Sequence, residues 1–88
     1  MRRLHVCFKG DVQGVGFRFT ARYIAARLGI KGWVRNLPNG DVECVAEADE
    51  DTLEEFLKRI KDDMKVYIRT SDDRWSRASG EFKGFDIS

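Results

Sequence analysis

Three glycines within seven residues, closed by an arginine, are the feature of this 88-residue chain with the most chemical content: Lys9-Gly10-Asp11-Val12-Gln13-Gly14-Val15-Gly16-Phe17-Arg18. Glycines reach backbone dihedrals closed to other residues and let main-chain N–H groups converge on one point. A helix beginning at Phe17 would aim its unbonded first-turn N–H groups and positive dipole end the same way. The N–H groups of Gly14, Val15, Gly16, Phe17 and Arg18 therefore form a candidate anion cradle. Arg18 adds a permanent cation whose planar fork matches two phosphate oxygens. A cation beside the positive end of a helix is unfavourable unless an anion compensates it. The segment is not a nucleotide motif: the third glycine of GxGxxG is missing, and no Gly-Lys-Ser/Thr follows. Taken alone, a glycine-rich turn with a solvated arginine accounts for the loop equally well.

Asn36 is the second polar position of interest. It ends the apolar run Gly32-Trp33-Val34-Arg35-Asn36 and shares the parity of Val34. On its own, an asparagine there is best read as fixing a turn. The sulfur and imidazole groups carry less. Cys7 and Cys44 sit in apolar segments and read as buried free thiols of a reducing cytosol. The single histidine, His5, has strand parity with Cys7 but no evident orienting partner, so no thiol nucleophile is assigned. Two distant cysteines and one histidine offer no zinc spacing, and no metal is expected.

The elements that must position these groups follow from periodicity. Leu4, Val6 and Phe8 alternate with polar neighbours over residues 3–9, the pattern of a half-buried strand. Phe17, Ala21, Ile24, Ala25 and Leu28 form one helical face, with Gly29 as its C-terminal cap. Strands at 31–37 and 41–47 flank Pro38-Asn39-Gly40, a hairpin signal. Asp49-Glu50-Asp51 opens a second helix on Leu53, Phe56, Leu57, Ile60 and Met64. Val66 to Thr70 reads as a strand, Ser71 to Gly80 as a polar stretch around Trp75, and Phe82 to Ile87 as a short final strand. Trp33 and Trp75 read as packing aromatics. The predicted fold is an α+β, ferredoxin-like βαββαβ sandwich, with two helices packed on one face of a four- to five-stranded, mainly antiparallel sheet. It forms a single domain over residues 1–88, a length that excludes two self-supporting cores.

Composition narrows the function classes further. The chain is 42% hydrophobic and 35% charged, with a net charge of +1. That near-neutrality hides an asymmetry. Residues 1–40 carry eight bases against Asp11 alone, a net +7, and residues 41–88 carry eight bases against fourteen acids, a net −6. An anion is sought in the basic half, and the acids of the other half are read as helix caps and solvated surface. No run approaches a membrane span, and Met-Arg-Arg-Leu-His does not open a signal peptide. The third strand, Asp41 to Glu47, lacks the aromatics of an RNA-recognition sheet.

Two motifs then converge. Gly10-Asp11-Val12-Gln13-Gly14-Val15-Gly16-Phe17-Arg18 meets Gly-x-Val-Gln-Gly-Val-x-Phe-Arg, and residues 32–42 meet Gly-aromatic-Val-x-Asn-x-x-x-Gly-x-Val. Together they resemble the acylphosphatase family, and the likeness runs over residues 5–60 and again at Phe85-Asp86-Ile87. The chain departs from the family pattern at Ala48, where glycine is usual, and near Asp62-Asp63-Met64, where Gly-Pro is usual. The resemblance implies hydrolysis of acyl phosphates, with Arg18 and the loop N–H groups on the phosphoryl group and Asn36 positioning the water. Neither cofactor nor metal is implied. The expected partners are a small-molecule acyl phosphate and its product inorganic phosphate, with no nucleic acid and no membrane, in a cytoplasmic monomer. The alternative in the same fold is a regulatory domain that binds phosphate or carbamoyl phosphate without turnover.

Overall fold

Leu4, Val6 and Phe8 are all buried, so one face of the first strand must be covered by apolar groups. Two helices provide the cover. In a computed structural model describing residues 1–88, the chain runs β1 (Arg2–Gly10), α1 (Phe17–Leu28), β2 (Lys31–Asn36), β3 (Val42–Ala48), α2 (Glu50–Asp63), β4 (Ile68–Arg77) and β5 (Phe85–Ile87). The strands form one sheet in the order β4-β1-β3-β2-β5, antiparallel except where β5 joins β2. The expected ferredoxin-like sandwich is therefore present, with five strands. Across β1 and β3, Leu4 faces Ala46, Val6 faces Cys44 and Phe8 faces Val42, and all six join the core.

The helices bury the stripes their periodicity required: Phe17, Ala21, Ile24 and Ala25 from α1, and Leu53, Phe56 and Ile60 from α2. At the end of α1 the Gly29 N–H donates to the carbonyls of Ala25 and Ala26. Asp49 holds the N-cap position of α2, but its side chain makes no capping hydrogen bond. Glu50 and Asp51 act instead through charge at the positive helix end, and Glu50 also pairs with Arg2 at 2.9 Å. Ala48, the departure from the family pattern, is buried, pairs with Arg2 across the ladder and leaves the entry to α2 intact.

The fourth strand differs from its sequence reading. Val66, expected inside it, is 77% exposed and belongs to the turn after α2, where the N–H groups of Tyr67 and Ile68 donate to the Met64 carbonyl. The strand instead runs on through Ser71 to Arg77, within the stretch read only as polar. Its positions are mostly exposed because β4 is an edge strand, so no two-residue hydrophobic period marks it. Pairing with β1 imposes the conformation, and Trp75, opposite Leu4, packs half-buried against the core. The last strand is confined to Phe85–Ile87.

Because β4 and β5 lie on opposite sheet edges, residues 78–84 must cross the end of the sheet. Glu47 holds that crossing. Only 5% exposed, it accepts hydrogen bonds from the Ser79 N–H (2.8 Å), the Gly80 N–H (3.0 Å) and Arg3 Nε (2.7 Å). Arg3 also pairs with Glu81 and lies over the Phe82 ring. Burial opposes ionisation of Glu47, but the Ser79 N–H, the Arg3 guanidinium, the Gly80 N–H and the Ser79 hydroxyl outweigh it and bring its pKa to about 2. A carboxyl depressed on folding stabilises the native state above its unfolded pKa, and that contribution disappears as pH falls through the folded value. Glu47→Ala is therefore expected to cost about 3 kcal/mol in urea unfolding at pH 7. The gap from the parent protein should close between about pH 4.5 and about pH 2, and a gap unchanged at pH 2 would contradict the assigned role.

Candidate active site

The loop from β1 to α1 begins at a bulge. The β1–β4 register shifts between Lys9 and Gly10, and the Asp11 N–H donates to the Tyr67 carbonyl at 2.9 Å. Val12, fully buried, anchors the loop in the core. Gly14 and Gly16 then take φ values of 76° and 79°, in the left-handed region that favours glycine. Gly16 is the N-cap residue of α1, no side chain caps this helix, and no acid stands in its first turn. The N–H groups of Gly14 to Phe19 consequently find no acceptor within the protein. Arg18 is half-buried beside them. Its one hydrogen bond within the protein is a 3.4 Å contact from Nη1 to the main-chain oxygen of Ser88, and no carboxylate pairs with it.

Asn36 approaches from the other side. It ends β2 opposite Val42, on the helix-covered face of the sheet, and its amide makes no hydrogen bond within the protein. The turn does not need it. Asn39 Oδ1 accepts the Asp41 N–H at 3.0 Å, and main-chain bonds from Leu37 to Asp41 and from Gly40 to Leu37 close the hairpin. The reading of Asn36 as a turn-fixing residue is thereby corrected. Val12, Gly14, Gly16, Phe17, Arg18, Phe19 and Asn36 line one cavity of about 220 Å³. Of the cradle residues Gly14 to Arg18 and Asn36 expected from the sequence, only Val15 lies outside its lining. The chemistry this cavity supports is the binding of a tetrahedral oxyanion by unpaired N–H groups and a guanidinium, with an amide facing the same space.

The acylphosphatase family model matches residues 4–87. The chain belongs to the acylphosphatase family. It is 39% identical to an acylphosphatase of Roseiflexus sp. over 99% of this chain and 95% of that protein. A Treponema denticola acylphosphatase is 56% identical over 69% of this chain and 65% of that protein. Among solved structures, the Bacillus subtilis acylphosphatase superposes with a TM-score of 0.92 at 29% identity, covering 100% of this chain and 99% of that one. A full-length HypF, solved in a phosphate- and nucleotide-bound form, matches with a TM-score of 0.82 at 27% identity, but this chain spans 12% of it. The family model and these relatives named acylphosphatase do not favour the regulatory-domain alternative.

In this acylphosphatase fold, two features of the site region had no role assigned from the sequence. The first is Gln13, whose Nε2 donates to the carbonyls of Leu37 (2.7 Å) and Asp41 (2.9 Å). That side chain ties the glycine loop to the hairpin carrying Asn36. The second is a wider groove of about 780 Å³ that shares Phe19 with the small cavity. Tyr23, Ala26, Ile30 and Phe85 supply its apolar wall, with Arg22, Lys31 and Lys83 around it. Larger though it is, the groove is not lined by the glycine loop or Asn36, so the candidate oxyanion cradle lies in the smaller cavity. No helix of the chain is long and apolar enough to cross a membrane.

Inorganic phosphate titrated into isotopically labelled protein is expected to shift the amide resonances of Gly14 to Phe19. In Gln13→Ala the same shifts should require several-fold more phosphate, while unfolding free energy changes by only about 1 kcal/mol. Shifts centred elsewhere on the chain would count against the cradle.

Proposed function

We propose that the protein hydrolyses the carboxyl–phosphate anhydride of a small acyl phosphate, and that Arg18, the loop N–H groups and Asn36 carry the reaction. The supporting observation is that free main-chain amides, a guanidinium whose one hydrogen bond is a long contact to the Ser88 main-chain oxygen, and a free carboxamide line one cavity. The N–H groups of Gly14, Gly16, Phe17 and Arg18, with Val15 completing the loop, hold the phosphoryl oxygens, and the Arg18 fork takes two of them. The Asn36 amide orients a water molecule toward phosphorus. Asn36 accepts no proton at neutral pH, so a phosphoryl oxygen receives the proton of the attacking water. The water oxygen forms its bond to phosphorus as the phosphorus–oxygen bond to the acyl group breaks. The bonding pair leaves on a carboxylate.

That leaving group explains how so few groups suffice. Its conjugate acid has a pKa of about 4, so it departs without a general acid. Catalysis reduces to positioning and to stabilising charge on the equatorial oxygens. An alkyl phosphate expels a far more basic alkoxide and calls for an acid or Lewis acid that the proposed residues do not supply. Phe19 lines both cavities, so the acyl portion leaves the cradle along the apolar groove.

Purified protein is expected to release phosphate from benzoyl and acetyl phosphate at an unchanged rate in excess EDTA. Arg18→Gln should lower kcat/KM about 10³-fold or more, with the fold intact by circular dichroism. Asn36→Ala should lower kcat by about 10²- to 10³-fold while leaving product inhibition by phosphate nearly unchanged, because it removes water positioning and not phosphate binding. Full turnover in either variant would overturn the assigned roles. Phosphate binding without hydrolysis by the parent protein would instead favour the regulatory domain.

A further inference from the structure

The uncovered face of the sheet brings together three groups that the sequence separates. His5 and Cys7 project from β1 on the face opposite Leu4, Val6 and Phe8, and Glu43 lies directly across the ladder from Cys7. His5 Nε2 stands 2.7 Å from Glu43 Oε2, and the imidazole, thiol and carboxylate donor atoms all lie within 4.8 Å of one another. Each residue is half-buried, reachable by a small solute. Two readings of the sequence are corrected here: Cys7 is not sealed in the core as Cys44 is, and His5 has the orienting carboxylate that was not evident.

We infer that His5, Cys7 and Glu43 form a binding site for a single thiophilic divalent cation of the zinc type, bridging β1 and β3. A borderline-soft ion accepts one imidazole, one thiolate and one carboxylate. Metal–ligand bonds of about 2.0–2.3 Å in tetrahedral geometry hold donors roughly 3.3–3.7 Å apart, within side-chain rotation of the arrangement present. The carboxylate is also correctly divided. Arg35 holds Glu43 Oε1 at 2.7 Å through both Nε and Nη2, leaving Oε2 turned toward His5. Such an outer partner fixes a ligand's orientation. The fourth position is open to water or to Asp72, which faces Cys7 from β4.

The electrostatics favour a cation as thiolate partner. Burial raises the Cys7 pKa and Glu43 raises it further; Lys9 opposes them, and Asp41 and Asp72 add smaller upward contributions. A lone thiolate is therefore disfavoured among these carboxylates, whereas a thiolate neutralised by a divalent ion is not. Binding displaces the thiol proton, so affinity rises with pH. The groups that face the site and set this dependence are Lys9 on β1, Asp41 just before β3, Glu43 on β3, Arg35 on β2, and Asp72 and Arg74 on β4. None of the three ligands lines the phosphate cavity.

Metal-stripped protein titrated with Co²⁺ should develop a thiolate-to-cobalt charge-transfer band saturating at one equivalent, displaced by Zn²⁺. Cys7→Ser should abolish the band, His5→Gln should weaken binding at least tenfold, and Arg35→Gln should weaken it roughly 10- to 100-fold. Unmodified protein supplies an independent measurement, since Cys44 is fully buried and alkylation reads Cys7. Zn²⁺ should slow iodoacetamide labelling of Cys7 at least tenfold and raise Tm in the parent protein but not in Cys7→Ser. Absence of a charge-transfer band, or an alkylation rate indifferent to Zn²⁺, would overturn the site.

Discussion

Two hydrogen bonds from one side chain hold the site together. Gln13 lies on the glycine loop and Asn36 on the hairpin, and the Gln13 carboxamide bridges them by donating to Leu37 and Asp41. Without that tie, a loop bearing two residues at positive φ would be held only by the Asp11 N–H on the Tyr67 carbonyl, by Val12 and by the start of α1. Its amides are useful because nothing inside the protein uses them. A cradle of this kind requires a backbone kept in place from outside, since internal hydrogen bonds would consume the donors it presents.

Charge is arranged on the same logic of use and reserve. On the uncovered face of the sheet, acids of β3 and its approach neutralise bases of the first half: Glu47 takes Arg3, Glu43 takes His5 and Arg35, and Asp41 takes Lys9. The acids of the second half are thus sheet partners as well as charges at the start of α2 and solvated surface. Arg2 is taken by Glu50. Arg18, Arg22 and Arg27 of α1, and Lys31 just beyond it, form no ion pair. The net +7 of residues 1–40 therefore contracts to a group on and after one helix, with Arg18 at the cavity. Fields from such unpaired cations raise the local concentration of anions near the site.

Much of the fold was legible because local patterns and tertiary needs coincide. The α1 stripe, the hairpin at Asn39-Gly40 and the α2 stripe each carry a period or a turn residue that packing then uses. The positions of Arg18 and the glycines were legible for the same reason, since strand, loop and helix are contiguous. The extent of β4 was not. Ser71 to Arg77 have little burial of their own, and their strand conformation comes from hydrogen bonding to β1, more than sixty residues earlier in the chain.

Side-chain partnerships separated in sequence were equally invisible. Glu47 reads as one acid among many until residues 78–84 cross over it and make it the acceptor for Ser79 and Gly80. His5 and Cys7 have matching parity, but the register of β1 against β3 is what delivers Glu43 to them. By itself the sequence determined most of the elements, the glycine loop and the two motifs, because each is written in residues within a few positions of one another. Only the tertiary structure decided which donors remain free, which charges cancel, and how loop and hairpin share a cavity. Those outcomes depend on strand order and register, which bring distant residues within bonding distance.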